Sequence, residues 1–300
     1  MTGHQCLIGV DIGGTNTRAQ IDGGSPSCSR SVTAPTMVGS PESVLSGTIA
    51  VIESLLDGSP RLPLGGLGIG VPGQVDPVLG SVRLAGNLGI GEQPLLLRSA
   101  LIDHFGVPTV IENDVRATSV GLYERAPEPR PSILTYVSIG TGVAAGTVID
   151  GHLLRGAGGT AGELGQIIVA ERSGAVVTIE TEAAAARIIE EAALAGLDRS
   201  AYLTGHAPEV MSTLARMINT VFVTYDPDVL IIGGGVGTAP GFFETLMESV
   251  ETLRGRSRIV SEFVGPSRIA VLAPGDPVGT ESALMLAEQA RSSPKETVHA

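Results

Sequence analysis

The sequence predicts an α/β protein built from two similar halves, and three observations carry the prediction. Its 300 residues, 43% of them hydrophobic, bury a large core and exceed the roughly 100 to 200 residues of one average domain. VDIGGTNTRAQIDG, which starts at Val10, and VSIGTGVAAGTVIDG, which starts at Val137, both read strand, glycine turn, strand, Asp-Gly, 127 positions apart. Between and after these two stretches, helix-period segments alternate with short apolar runs.

The elements follow in order. Apolar residues from Leu7 lead into Asp11 and a double glycine, and TNTRAQI over 15–21 has no helical stripe and ends at Asp-Gly-Gly. These glycines therefore join two strands in a hairpin, where a dinucleotide fingerprint would need a helix. Residues 41–56 have helical apolar spacing with an acidic first turn, and GLGIGV over 66–71 reads as a buried strand. A strand over 108–112 leads into a helix over 115–124, and the proline- and arginine-rich APEPRP over 126–131 marks the domain junction. The uncharged run 131–149 approaches membrane-spanning length, but its three glycines and its threonines and serines suit two buried strands better. Helices are predicted over 180–195 and 208–224. A strand over 229–232 then passes through GGGVG into a helix over 242–253, and a last helix over 278–290 packs back on the first half. The expected organisation is a small α/β domain over 1–125, a larger one over 132–277, a returning helix within 278–291 and a polar tail over 292–300.

Composition excludes several functions. A net charge of −12, from 19 basic and 31 acidic residues, repels a phosphate backbone, so no nucleic-acid partner is expected. Lys295 is the only lysine and lies in the tail, which removes a Walker A lysine, a protein-kinase strand lysine and a Schiff-base lysine. Two cysteines, Cys6 and Cys28, make neither a disulfide framework nor a four-thiolate zinc site. The residues before Leu7 lack the basic and apolar regions of a signal peptide, so the expectation is a cytoplasmic protein without a membrane segment.

Six motifs in order, DIGGT at Asp11, GVPG at Gly70, END at Glu112, GTG at Gly140, GTAGELG at Gly159 and GGG at Gly233, resemble the ROK family of sugar kinases and repressors. The resemblance implies a fold similar to actin and hexokinase, two RNase H-like domains with an ATP and sugar cleft between them. It also implies ATP and Mg²⁺ as cofactors, a sugar as substrate and a homodimer as the assembly.

On that basis Gly13 and Gly14 let backbone N–H groups approach a phosphate, Thr15 adds a hydroxyl, and Asp11 offers its carboxylate to Mg²⁺ through water. A strand-end aspartate capping a tight turn is the alternative for Asp11. Gly140, Thr141 and Gly142 form the second phosphate hairpin, and Gly233, Gly234 and Gly235 supply bare backbone for the adenosine end of ATP, or else a strand-to-helix loop needing positive φ. Asn113 and Asp114 lie between a strand and a helix, where both residue types also serve as N-caps. The resemblance makes Asp114 the catalytic base and Asn113 a ligand to a neighbouring sugar hydroxyl. Gly73, Asn87, Glu163, Gln166 and Glu180 complete the implied sugar set, with a turn role for Asn87 and a helix-start role for Glu180 as alternatives.

One departure from the family stands out. The usual Glu-x-Gly-His reads ELGQ from Glu163 to Gln166, and ERSGAVVTIE from Glu171 to Glu180 stands where a cysteine cluster holds zinc in relatives. No zinc is expected, and packing and hydrogen bonds must hold this loop. Three readings follow. The chain is an ATP-dependent kinase acting on the 6-hydroxyl of glucose or a glucose-like amino sugar, with kanosamine (3-amino-3-deoxyglucose) of an antibiotic pathway as one alternative. It is a repressor, which would need a helix-turn-helix before Leu7. Or it is a non-catalytic sugar-sensing regulator, for which Gln166 leaves room.

Overall fold

A computed structural model describes residues 5–25, 28–57 and 62–292. The chain divides into two compact units, Met1–Gly121 with Pro277–Ala300, and Leu122–Asp276. The tail expected over 292–300 lies, beyond Ser292, outside the described residues. Among the described residues no helix is long and apolar enough to cross a membrane.

In the first unit β1 (Cys6–Ile12), β2 (Asn16–Asp22) and β3 (Arg30–Pro35) form an antiparallel meander. Helix α1 (Pro41–Asp57) leads to β4 (Leu64–Val71), which lies parallel to β1. A small antiparallel pair follows, β5 (Gln74–Asp76) and β6 (Ser81–Arg83). Then come α2 (Leu97–Phe105), β7 (Thr109–Asn113), parallel to β4, and α3 (Asp114–Arg125), whose residues from Leu122 on belong to the second unit. The main sheet is ordered β3-β2-β1-β4-β7.

Alternation in β1 and β4 gives this sheet two different faces. Ile8, Val10 and Ile12 of β1, with Leu67, Ile69 and Val71 of β4, bury one face against Val44, Val51, Ile52 and Leu55 of α1. Each such side chain contributes about 1.5–3 kcal/mol by leaving water. The opposite face is bare at Gly9, Gly66 and Gly68, where the last helix, Val278–Ser292, lies directly on the strands. A Cβ on Gly66 would stand 2.8 Å from the Ala287 carbonyl oxygen, and one on Gly68 would overlap the Ala283 carbonyl and the Ala287 amide.

The second unit repeats the plan. Strands β8 (Ile133–Ile139), β9 (Val143–Ile149) and β10 (His152–Leu153) run antiparallel. The hairpin β11 (Ile168–Arg172) and β12 (Ala175–Thr178) precedes α4 (Ile179–Ala183), α5 (Ala185–Leu194), α6 (Arg199–Gly205) and α7 (Pro208–Tyr225). After β13 (Val229–Gly233) come α8 (Gly234–Gly237), α9 (Phe242–Arg256), α10 (Arg258–Phe263) and β14 (Ile269–Val271). Here the sheet is ordered β10-β9-β8-β13-β14. Counted along its own chain, each sheet therefore has the order 3-2-1-4-5, three antiparallel strands followed by two parallel ones, and the similarity of the two glycine hairpins is matched by that of the sheets around them.

The helix predicted over 180–195 is instead two. Ala184, with φ −74° and ψ 155°, ends α4, and the Ala185 amide turns to the Gly140 carbonyl at 2.8 Å. Local alanine-rich periodicity cannot register that distant acceptor.

Candidate functional site

The glycine stripe of β4 continues to Gly70, where two carboxylate-bearing residues approach the same bare Cα. A Cβ there would lie 3.8 Å from Asp11 Oδ1 and 3.4 Å from the Asp114 Cα. Asp11 is near the end of β1 and pairs in register with Gly70, while Asp114 is the half-buried first residue of α3. The adjoining Asn113 is buried; its Oδ1 accepts from the Arg116 amide at 3.1 Å as a helix cap, and its Nδ2 donates to the Gly73 carbonyl at 3.2 Å. Gly73 has φ +98°, and a Cβ on it would meet that of Ala85 at 2.7 Å. Two residues on, Asn87 is exposed in a 3₁₀ turn, Gly86–Leu88, that Gly89 closes in the left-handed region. Asp11, Gly70, Asp114, Asn113, Gly73 and the run carrying Asn87 thus form one continuous arrangement in the first unit.

Two supports come from residues to which the motifs gave no role of their own. Glu112 and Arg116, both buried, stand 3.3 Å apart beneath the β7–α3 junction, and Glu112 Oε1 also accepts from the Asn113 amide at 2.9 Å. Thr36 clamps the first glycine hairpin: its Oγ1 donates to the Gly13 carbonyl at 2.7 Å and its amide to that of Thr15 at 2.9 Å. Gly14 and Thr15 form the tip, Thr15 being exposed.

Asp11 has an unusual electrostatic setting. Gly279, at the start of the last helix, would bring a Cβ to 2.5 Å from Asp11 Oδ2, so protein crowds the carboxylate although part of its surface stays open. Burial pushes its pKa up to about 6, and Arg18, its cross-strand partner on β2, pulls it part of the way back. A carboxylate raised in this way is stabilised as an anion by any cation that reaches it, which fits a hydrated Mg²⁺.

A stability prediction follows. A raised folded-state pKa stabilises the fold fully below the unfolded value near 3.8, and this contribution is lost as pH rises through about 6. Without metal or nucleotide, Asp11→Asn should match wild type near pH 4 and exceed it by about 1–3 kcal/mol at pH 7.5, as a shift of this size allows after solvent screening. Urea titrations at both pH values check this; a difference that does not grow with pH would contradict it.

In the second unit Gly140 donates its amide to the Gly142 carbonyl at 2.9 Å, and exposed Thr141 forms the hairpin tip. A Cβ on Gly140 would stand 3.7 Å from the Gly235 amide, so the second hairpin and the glycine triplet lie together. Within the triplet, Gly233 is buried against Tyr136, Gly234 takes φ +83° beside the Ile139 backbone, and Gly235 is exposed with open space about it.

Glu180 reaches the same hairpin. Its Oε2 accepts from the Val143 amide at 3.1 Å in a cradle where a Cβ on Gly142 or Gly165 would come within 2.7 and 2.9 Å of it, and Gln166 Nε2 donates to its Oε1 at 3.4 Å. Half-buried Glu163 opens the 3₁₀ turn Leu164–Gln166, which lies on β9 through the Ala145 amide and the Gly162 carbonyl at 2.7 Å. The segment from Glu171 to Glu180 runs from the end of β11 through β12 into α4, and the two-residue turn of the β11–β12 hairpin has Ser173 and Gly174 at φ 52° and 77°, as a type I′ turn requires. Thr178 and Thr181 then close a capping box at the start of α4. Among the described residues no group of three or more His, Cys, Asp or Glu side chains could hold a metal ion.

Comparison with known proteins extends this picture. A family model described as "ROK family" matches residues 7–290. The bifunctional enzyme NanE/NanK of Brucella melitensis is 34% identical over 257 residues, 81% of this chain and 48% of that protein. A xylose repressor of Caldicellulosiruptor bescii is 38% identical over 130 residues, 43% of this chain and 32% of the repressor. The chain therefore spans about half or less of the length of these relatives. Among solved structures, a ROK family glucokinase from Streptomyces griseus in complex with glucose and AMPPNP superposes with a TM-score of 0.72 at 25% identity, covering 95% of this chain and 99% of that one.

Proposed function

The chain belongs to the ROK family, and from that premise we propose that it is an ATP-dependent sugar kinase, transferring the γ-phosphoryl group to the 6-hydroxyl of glucose or a glucose-like amino sugar. The observation that carries the reading is the meeting of Asp11 and Asp114 at Gly70. One carboxylate belongs to a glycine hairpin suited to phosphate, the other to a helix start beside polar groups suited to a sugar.

In this reading Asp114 accepts the proton of the sugar hydroxyl as its oxygen bonds to phosphorus, the bond between the γ-phosphorus and the bridging oxygen breaks, and ADP leaves. A helix N-terminus favours the ionised carboxylate, which makes Asp114 a weak base. Weakness is tolerable because phosphoryl transfer is loose and depends mostly on alignment and charge neutralisation. Asp11 would hold Mg²⁺ through water, and the bound ion would supply that neutralisation. Gly13, Gly14, Thr15 and the Gly140–Gly142 hairpin serve the phosphates, and Gly233, Gly234 and Gly235 the adenosine end. Gly73, Asn87, Asn113, Glu163, Gln166 and Glu180 serve the sugar. Gln166 is neutral at every pH where a histidine could become cationic, which favours an ammonium-bearing hexose beside Glu180.

Similarity to a xylose repressor over 43% of the chain supports a second reading, a sugar-sensing protein without turnover. A panel of glucose, glucosamine, 3-amino-3-deoxyglucose and N-acetylmannosamine with ATP and Mg²⁺, scored by ADP release and by product mass, separates the two. The kinase reading expects at least one sugar to gain a phosphoryl group. Sugar binding by calorimetry without ADP release would establish the sensor.

A further inference from the structure

Glu180 stands in the first turn of α4, a helix of five residues that is too short to be stable by itself. Its carboxylate is nevertheless placed on the Val143 amide and beside Gln166, so other contacts must hold the helix. The capping box fixes its start. Its other anchor is Glu182, two residues beyond Glu180, with a side chain only 8% exposed. Glu182 Oε2 accepts from Thr213 Oγ1 of α7 at 3.2 Å, and Thr213 Oγ1 also receives Arg216 Nη2 at 3.3 Å. Glu182 Oε1, buried and accepting no aligned hydrogen bond, stands 2.9 Å from Nη1 of Arg172, the last residue of β11, which is 57% exposed, so the two meet as an ion pair.

The pair is asymmetric, and the asymmetry decides its importance. An ion pair with both ends in water contributes little. Here one end is buried, and removing the other leaves a carboxylate in the interior without its counter-charge. Arg172 also sits immediately before the hairpin turn, so one contact ties the far end of β11–β12 to the buried side of α4 and, through Thr213, to α7.

We propose that Arg172 is a positioning residue: acting through Glu182, it latches the β11–β12 hairpin onto α4 and so holds the Glu180 carboxylate at Val143 and Gln166. It touches no substrate. The kinetic consequence of the latch rests on the proposed role of Glu180 as a sugar ligand, whereas its structural consequence does not.

The test compares wild type with Arg172→Ala and Arg172→Lys. Arg172 is more than half exposed, so neither substitution removes core packing. Hydrogen exchange at the Val143 amide reads the Glu180 contact directly, without substrate. In Arg172→Ala that amide should exchange about tenfold faster or more, while core strand β8 keeps its protection and Arg172→Lys returns to within about threefold of wild type. With the sugar that the enzyme phosphorylates, Arg172→Ala should raise KM about tenfold and leave kcat within about threefold, the signature of lost ground-state binding. Unchanged Val143 exchange in Arg172→Ala, or faster exchange throughout the second unit, overturns the latch. Faster exchange confined to the Glu180 neighbourhood with an unchanged sugar KM confirms the latch and removes Glu180 from the sugar site. If no sugar is phosphorylated, the exchange measurement alone decides the latch.

Discussion

Asp114→Asn is expected to lower kcat by about 10³-fold, ~4 kcal/mol of barrier, while sugar and ATP affinities stay within about threefold. The amide keeps the shape of the carboxylate and its place at the start of α3, and it loses the negative charge and with it the proton acceptor. The neighbouring residue makes the test clean. Asn113, not Asp114, supplies the side-chain cap to the Arg116 amide, and the Glu112–Arg116 pair braces the junction from below. Stability should therefore change by less than about 1 kcal/mol. Single-turnover kinetics with calorimetry of both ligands checks the pattern. Turnover within about tenfold of wild type would reduce Asp114 to a helix-start acid.

Gly68→Ala should be the most damaging single methyl in the first unit, costing about 3 kcal/mol, because its Cβ would overlap backbone atoms of the last helix at Ala283 and Ala287. Backbone cannot rotate away as a side chain can, so the helix must lift from β1 and β4 together. Lifting it also moves Gly279 from Asp11, and thermal stability and any Mg²⁺-dependent activity should fall together. Gly255→Ala is the contrast: Gly255 lies on an exposed face of α9 with nothing within 4 Å of a built Cβ. There the same methyl should stabilise by about 0.5–1 kcal/mol through helix propensity. Thermal melts of both variants check the sign, and two changes of the same sign would contradict the packing account.

Much of the fold was legible because its signals are local. The period-2 runs around Gly13–Gly14 and Gly140–Gly142 specify two hairpins, and the spacing of Val44, Thr48, Val51, Ile52 and Leu55 specifies one buried helix face. Strand β3 left little trace because its only apolar alternation, Val32 and Ala34, is two residues long and half-buried. The hairpin β11–β12 was hidden for the same reason, since its outer residues are exposed and its turn uses a serine at positive φ.

The candidate site divides along similar lines. Asp11, Asn113, Asp114, Gly140–Gly142 and Gly233–Gly235 are identifiable in the sequence because bare backbone and short polar side chains next to strand ends form compact motifs. Their partners are not, because each partner is chosen by a contact between distant segments. Thr36 clamps Gly13, Gly279 crowds Asp11, Ala185 takes the Gly140 carbonyl, and Arg172 meets Glu182. The sequence by itself determined the two glycine hairpins, the faces of β1, β4 and α1, and the family. Tertiary structure alone decided that the glycines of β4 serve helix packing at Gly66 and Gly68 and the carboxylate meeting at Gly70. The physical reason is that periodicity records which face of an element is small or apolar, while the identity of what lies on that face is set only when segments far apart in the chain pack together.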